Sequence, residues 1–408
     1  MEATAMANFE TSRRNFLQLG VGLGLSTLAG PHWLRAAADA SPLDRKLVVL
    51  ELTGGNDALN MLIPYGDDLY HRARPQLRIP QAEVLRLDDH FGLHPRMGAL
   101  REIHELGDLA IVHGVGYENP DRSHFRALDI WHSGDPLSAR PRTGWVGRAA
   151  DRADGDDGPF AVRVGGRDLP LLLRSEQSDT PTLERLEDLE WDRGSYEAVR
   201  ARRALQESLL RPRREGGGAA DRLQRAWLSA MRDADRLGAA AKNENVADYP
   251  AGALAQQLRL GAALLASDVG PRVVHVNQTG YDTHANQTQP HAQLLGDLSS
   301  ALGAFWSDLR SRGLEDRVLV LVYSEFGRRV NENASAGTDH GAAAPVLLIS
   351  GKLKGGFHGQ SPSLADLSDG DVKHQVDFRR VYATLLEPWL GVPALPVIGE
   401  GFAPLSVL

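Results

Sequence analysis

Val318 to Tyr323 is an unbroken run of aliphatic and aromatic residues, and Pro345 to Ile349 follows as a second. Runs of this length without polar alternation predict strands buried on both faces. Lys46 to Thr53, Asp108 to His113 and Arg272 to Val276 read the same way. Helical periodicity lies between them. It covers His94 to Leu106, a segment from Ser123 through about Trp131, Ala253 to Ser267, Gln287 to Arg312 and Asp377 to Leu390. Pro64 to Arg78 is polar and rich in turn residues, which predicts a loop. Strands alternating with helices predict a doubly wound α/β domain with a mostly parallel sheet.

The polar residues cluster where the strands stop. Gly54-Gly55-Asn56-Asp57 follows the first run, and its glycines allow a tight bend that places Asp57 at the strand's end. Asp282-Thr283-His284 lies just beyond the run at 272–276, and Ser324-Glu325-Phe326-Gly327-Arg328-Arg329 beyond Tyr323. Asp339-His340-Gly341 precedes the last strand. Open parallel sheets bind ligands at their carboxyl edge, so these carboxylates and imidazoles are candidates for one metal or phosphoryl site. Ser123 stands where a helix begins. It is either an N-cap or a nucleophile whose transferred anion is helped by the helix N-terminus. His124 beside it and His291 beyond Asp282-Thr283-His284 are candidates only to orient ligands.

Residues 150–250 differ. Leu183 to Arg214 and Asp221 to Ala241 are Arg-, Ala-, Leu- and Glu-rich helical patterns separated by Glu215-Gly216-Gly217-Gly218. They predict a helical insertion with a solvated charged surface and no chemistry of its own.

Composition narrows the chemistry. The 408 residues carry a formal charge of −8, which argues against a nucleic-acid partner. Cysteine is absent, so disulfides, thiolate metal sites and cysteine nucleophiles are excluded. Any metal must be held by imidazole, carboxylate, amide or water.

Residues 1–40 read as an address. Thr11-Ser12-Arg13-Arg14-Asn15-Phe16-Leu17 precedes a mildly apolar, glycine-rich run from Leu19 to Gly30, and small residues follow at Ala36 to Ala40. This order resembles a twin-arginine signal peptide, which implies passage through the twin-arginine translocase and a periplasmic or extracellular location. The run is too short and glycine-rich for a stable membrane anchor. The domain itself is then expected over 41–408.

Six stretches together resemble a family of twin-arginine-exported proteins called domain of unknown function 1501, which is similar to the alkaline phosphatase and sulfatase superfamily. They are Leu52 to Tyr65, Val112 to Trp131, Gly144 to Arg148 (GWVGR), Gly280 to Gln287, Ser324 to Arg329 and Gly337 to Gly341. The resemblance implies an alkaline-phosphatase-like fold and one or two divalent ions (Zn, Mn, Mg or Ca). It assigns Asp282, His284 and His340 to one metal and Asp57 and Glu325 to another, with Asp339 in the same donor set. It makes Ser123 the nucleophile and offers Arg328, Arg122 or Arg126 as clamps on a substrate's oxygens. Two divalent ions side by side would lower a hydroxyl's pKa and stabilise a leaving group.

The implied activity is a metal-dependent hydrolase acting on a small anionic ester. Glu325-Phe326 stands where the superfamily often has an Asp-His pair. Ser123-His124-Phe125-Arg126 lacks the context for the formylglycine of sulfatases, so a phosphoester fits better. The alternatives are an envelope protein that keeps the fold to bind a ligand, and a structural role in which the polar loops only cap strand ends.

Overall fold

Among the described residues eight strands in line carry the architecture, with β1 (Lys46–Thr53) among the central ones. In chain order the others are β2 (Leu109–Gly116), β3 (Ala161–Val164), β4 (Thr182–Leu183), β5 (Val273–Thr279), β6 (Val318–Tyr323), β7 (Ala344–Ile349) and β8 (Gly356–His358). Their order across the sheet is β8-β2-β7-β6-β1-β5-β3-β4, and a short β9 (Val376–Asp377) also pairs with β2. The computed structural model describes residues 44–153, 159–184, 247–267 and 270–408, with isolated positions between 197 and 238. The export signal expected at 1–40 lies outside the described residues. So do almost all of the helical patterns expected at 183–214 and 221–241.

The sheet divides two apolar layers because side chains alternate along each strand. Val48, Leu50 and Leu52 of β1 face one layer, with α3 (Gly98–Glu105), α6 (Ala253–Leu265) and the long α7 (Thr288–Ser311). Leu47 and Val49 face the other, with α4 (His124–Ser133), α5 (Trp145–Ala150) and α8 (Phe378–Thr384). Burial on both faces is what the unbroken apolar runs required. One charge interrupts the first run. Glu51 is buried, so it needs partners, and it receives hydrogen bonds from Tyr323 at 2.9 Å and Thr53 at 2.9 Å and pairs with His132 at 2.5 Å.

The fold is α/β with a mostly parallel sheet. β1 runs parallel to β5 and β6, and β2 parallel to β8 and β9. β7 is the exception, antiparallel to both β6 and β2. The segment 324–343 is therefore a hairpin loop whose two ends lie at the same sheet edge. That edge also receives the carboxyl ends of β1, β2 and β5. Direction could not be read from the apolar run at 345–349, since burial looks alike either way.

Local differences have local causes. Residues 64–78 contain a helix, α2 (Asp68–Ala73), because Asp67 caps it by accepting from Leu69 N at 2.8 Å. It follows a short α1 (Ala58–Met61). α3 begins later than its periodicity suggested, since His94 is bonded to Met61 through its backbone and to Arg96 N through its ring. β3 and β4 fall inside 150–250 yet join the main sheet beside β5. Among the described residues no helix is long and apolar enough to cross a membrane.

Candidate metal centre

Two glycines bring the first strand end into the centre. Gly54 and Gly55 have φ of 117° and 67°, a region that costs other residues energy. Gly54 N donates to Glu325 Oε1 at 2.9 Å, and Arg328 Nε donates to Gly55 O at 2.6 Å. A Cβ on Gly54 would lie 2.6 Å from Asp282 N, so the turn after β1 and the loop after β5 touch backbone to backbone. The hairpin loop is zipped beneath them by Arg329 N to Asp339 O at 3.0 Å and Gly341 N to Gly327 O at 2.9 Å.

Three imidazoles converge on one carboxylate oxygen, Asp282 Oδ1. His284 Nε2 is 3.0 Å from it, His340 Nε2 3.2 Å and His124 Nε2 3.3 Å. In every case the other ring nitrogen meets an acceptor. His340 Nδ1 donates to Arg122 O at 2.6 Å, His124 Nδ1 to Glu325 Oε1 at 2.8 Å and His284 Nδ1 to Asp339 Oδ1 at 3.3 Å. A carbonyl can only accept, so a neutral His340 carries its proton on Nδ1 and its lone pair on Nε2, and with a cation rather than protons beside Asp282 the bonds to Glu325 and Asp339 give His124 and His284 the same tautomer. Three lone pairs and a carboxylate then face one point. His124 Nε2 is buried and has no hydrogen-bond partner among the described residues. These donors suit a divalent cation, and His124, Asp282 and His340 form a cluster of ligand atoms compact enough for one.

The electrostatics follow from the same contacts. Burial raises Asp282, but the Arg328 guanidinium and the imidazoles beside it outweigh that and bring the carboxyl to about 2. Arg328 Nη2 lies 2.7 Å from Asp282 Oδ1. The bond to Glu325 raises His124, while burial lowers His340. Asn333 Nδ2 donates to Asp339 Oδ1 at 3.1 Å and lowers that carboxyl.

The loops thus place Asp282, His284, Glu325, Asp339 and His340 together. Within that group Glu325 and Asp339 meet Nδ1 atoms and hold the rings. His124, expected only to orient ligands, presents Nε2 to Asp282 instead. Its position one residue into α4 was the available signal, because a helix start delivers its first side chains to the sheet edge. Ser123 is the N-cap residue of α4 and is exposed, but its hydroxyl makes no capping bond. Its backbone N donates to Asp121 Oδ1 at 2.8 Å, and the residue before it supplies the carbonyl that orients His340.

Three expected positions have polar atoms engaged within the protein. Asp57 has one oxygen, Oδ2, engaged by the protein itself, while Oδ1 has no hydrogen-bond partner among the described residues. It is wholly buried against Arg74, whose Nη1 lies 2.6 Å from Asp57 Oδ2, and Gln287 Nε2 donates to the same oxygen. Burial alone would raise Asp57, but Arg74 lowers it. Arg126 turns from the centre and donates to Ser138 O at 2.7 Å and Pro136 O at 2.6 Å. Arg328 is buried and donates to the carbonyls of Gly54, Gly55, Tyr281 and Thr338, so it braces the loops rather than waiting for substrate. The further clamp candidate, Arg122, is paired with Asp371, its Nε 2.9 Å from Oδ2. His291, below the centre, meets Asn56 Oδ1 at 2.9 Å.

The family described as "Protein of unknown function (DUF1501)" matches residues 44–393. No curated protein matches the sequence. Among solved structures, the chain is similar to the C-terminal periplasmic domain of EptC from Escherichia coli in complex with zinc. That likeness has a TM-score of 0.37 at 10% identity, covering 76% of this chain and 73% of the other. The lipoteichoic acid synthase LtaP from Listeria monocytogenes gives 0.39 at 8%, covering 90% and 76%. A protein in the alkaline phosphatase superfamily from Vibrio parahaemolyticus gives 0.37 at 14%, covering 87% and 69%. All three TM-scores fall below 0.5, so the chemistry must be argued from this chain's own donors.

Proposed function

The chain belongs to the family of unknown function DUF1501, and from that premise and its donor cluster we propose that it is an exported, metal-dependent hydrolase of a phosphoester or related ester. The observation that carries this reading is the convergence of three Nε2 lone pairs on Asp282 Oδ1. His124, His284, His340 and Asp282 would hold one divalent ion. Three imidazoles favour zinc over manganese, magnesium or calcium, which prefer oxygen donors. Bound there, the ion would supply Lewis acidity toward an ester oxygen and toward a nearby hydroxyl.

Ser123 is the proposed nucleophile. Its hydroxyl is free of the capping role, and it sits at the N-terminus of a ten-residue helix, where the helix dipole favours a transferred anion. Glu325 and Asp339 hold His124 and His284 in the tautomer that presents Nε2. The arginine pair and apolar run of residues 11–30 support export through the twin-arginine translocase.

A second reading, an envelope protein that binds a ligand without turning it over, is favoured by one observation. Arg126 and Arg328 both spend their donors on the protein's own carbonyls. The test is metal content and hydrolysis of mono- and diester phosphates by the intact protein and Ser123→Ala. Metal-dependent turnover that falls on the order of a thousandfold or more in the variant, with the fold kept, supports the hydrolase. Metal without turnover on any ester points to the binding protein. No metal after soaking with zinc, manganese, magnesium and calcium sinks both assignments of the cluster.

A further inference from the structure

The Gly144 to Arg148 stretch (GWVGR) has no part in the donor cluster. Gly144 N-caps α5, where a Cβ would lie 2.1 Å from Leu172 O, and Trp145 stacks on Tyr382 with ring centroids 4.5 Å apart. Arg148 at the end of the stretch is part of the wall of a cavity of about 540 Å³, within the size of small-molecule sites. The cavity adjoins Ser133 and Gly134 at the far end of α4. Ten helical residues, about 15 Å, therefore separate it from His124.

The lining is cationic in a chain of net charge −8. Arg140, Arg142, Arg148 and Arg379 face it, against the carboxylates Asp135 and Glu400. Arg148 donates only to neutral oxygens, namely Val397 O at 2.8 Å, Thr143 O at 2.9 Å, Thr143 Oγ1 at 3.3 Å and Ser133 O. Its half-buried charge has no carboxylate bonded to it among the described residues, and burial pushes its pKa down. Asp135 Oδ1 is engaged by the amides of Leu137 at 2.9 Å and Ser138 at 3.3 Å. Arg379 is held by Asp377 and lies over the Phe402 ring, 4.0 Å from its centroid. Arg140 and Arg142 are exposed and make no hydrogen bond or ion pair among the described residues. A cavity walled by a half-buried arginine without a bonded carboxylate and two uncommitted guanidiniums is built for an oxyanion, since the guanidinium fork matches phosphate oxygens two at a time.

We propose that this cavity binds a phosphate-bearing ligand of small-molecule size, at a site separate from the metal centre. Arg140 and Arg142 would grip the phosphate, and Phe402 and Ile398 would cover the organic part. Leu137, 93% exposed on the same loop, makes an anionic lipid headgroup a source to compare with a free phosphate ester.

The experiment titrates the full chain with glycerol 3-phosphate by calorimetry, and with phosphatidylglycerol vesicles by co-sedimentation. The variants are Arg140→Ser/Arg142→Ser and, as control for the metal centre, His340→Ala. The expected result is binding that persists in His340→Ala and weakens at least tenfold in the arginine double variant. Uptake of glycerol 3-phosphate alone makes the ligand a free ester, whereas vesicle binding lost in the same variant makes it a headgroup. Equal affinity in the arginine variant, loss in His340→Ala instead, or no binding of either probe overturns the proposal.

Discussion

His284 Nε2 and His340 Nε2 lie 2.9 Å apart, each with its Nδ1 turned to an oxygen acceptor on the far side of its ring. Two lone pairs at that distance repel unless a proton or a cation sits between them. With Asp282 Oδ1 3.0 Å and 3.2 Å away, a divalent ion is the natural occupant.

One ion is expected, not two. Arg74 already supplies the counter-charge of Asp57, at Oδ2. Elemental analysis of the full chain should give about one equivalent of divalent metal per mole, and the His284→Ala/His340→Ala double variant should hold none. Two equivalents would contradict the role given to Arg74.

Gly54→Ala should weaken metal binding by more than tenfold while most of the fold stays intact. The substitution puts a side chain at a φ of 117° and a Cβ 2.6 Å from Asp282 N, and Asp282 is the oxygen on which the imidazoles converge. Competition with a chelator measures it. An unchanged affinity would mean that Asp282 is not a ligand.

Asp57→Ala should destabilise the protein by about 3–5 kcal/mol, because it leaves the Arg74 guanidinium buried without its counter-charge. Arg74→Met/Asp57→Asn should recover part of that loss. Denaturant titration of the three proteins gives the comparison, and a double variant no more stable than Asp57→Ala would count against the coupling of the pair.

Acid should destabilise the fold between about pH 6.5 and 4. Burial lowers His94, His113 and His291 to about 4. Within this window the unfolded chain takes up protons that the folded one refuses, so stability falls as pH drops, and above about 6.5 these rings contribute nothing. At about 1.4 kcal/mol per pKa unit, each ring accounts for roughly 3 kcal/mol at the acid end. His113 stacks on Phe357 with centroids 5.2 Å apart, so His113→Phe should keep the packing and flatten the profile by one ring's share. Identical profiles for the two proteins would refute the assignment.

The sequence by itself determined the strands that are buried on both faces and the polar residues at their ends. Lys46–Thr53 and Val318–Tyr323 were legible to the residue, because a dense apolar run bounded by polar residues admits few other placements. Asp282, His284, Glu325, Asp339 and His340 could be singled out because strand ends at one sheet edge must lie close together. Only the tertiary structure decided which atoms meet. It gave Ala344–Ile349 the opposite direction to its neighbours, put Arg74 rather than a donor on Asp57, and turned Arg126 and Arg328 into braces. It also brought His124 across 158 positions of sequence to Asp282, a distance of 3.3 Å. Local patterns record burial and turning. Contacts between distant loops depend on strand order and direction, which no single stretch of the chain encodes.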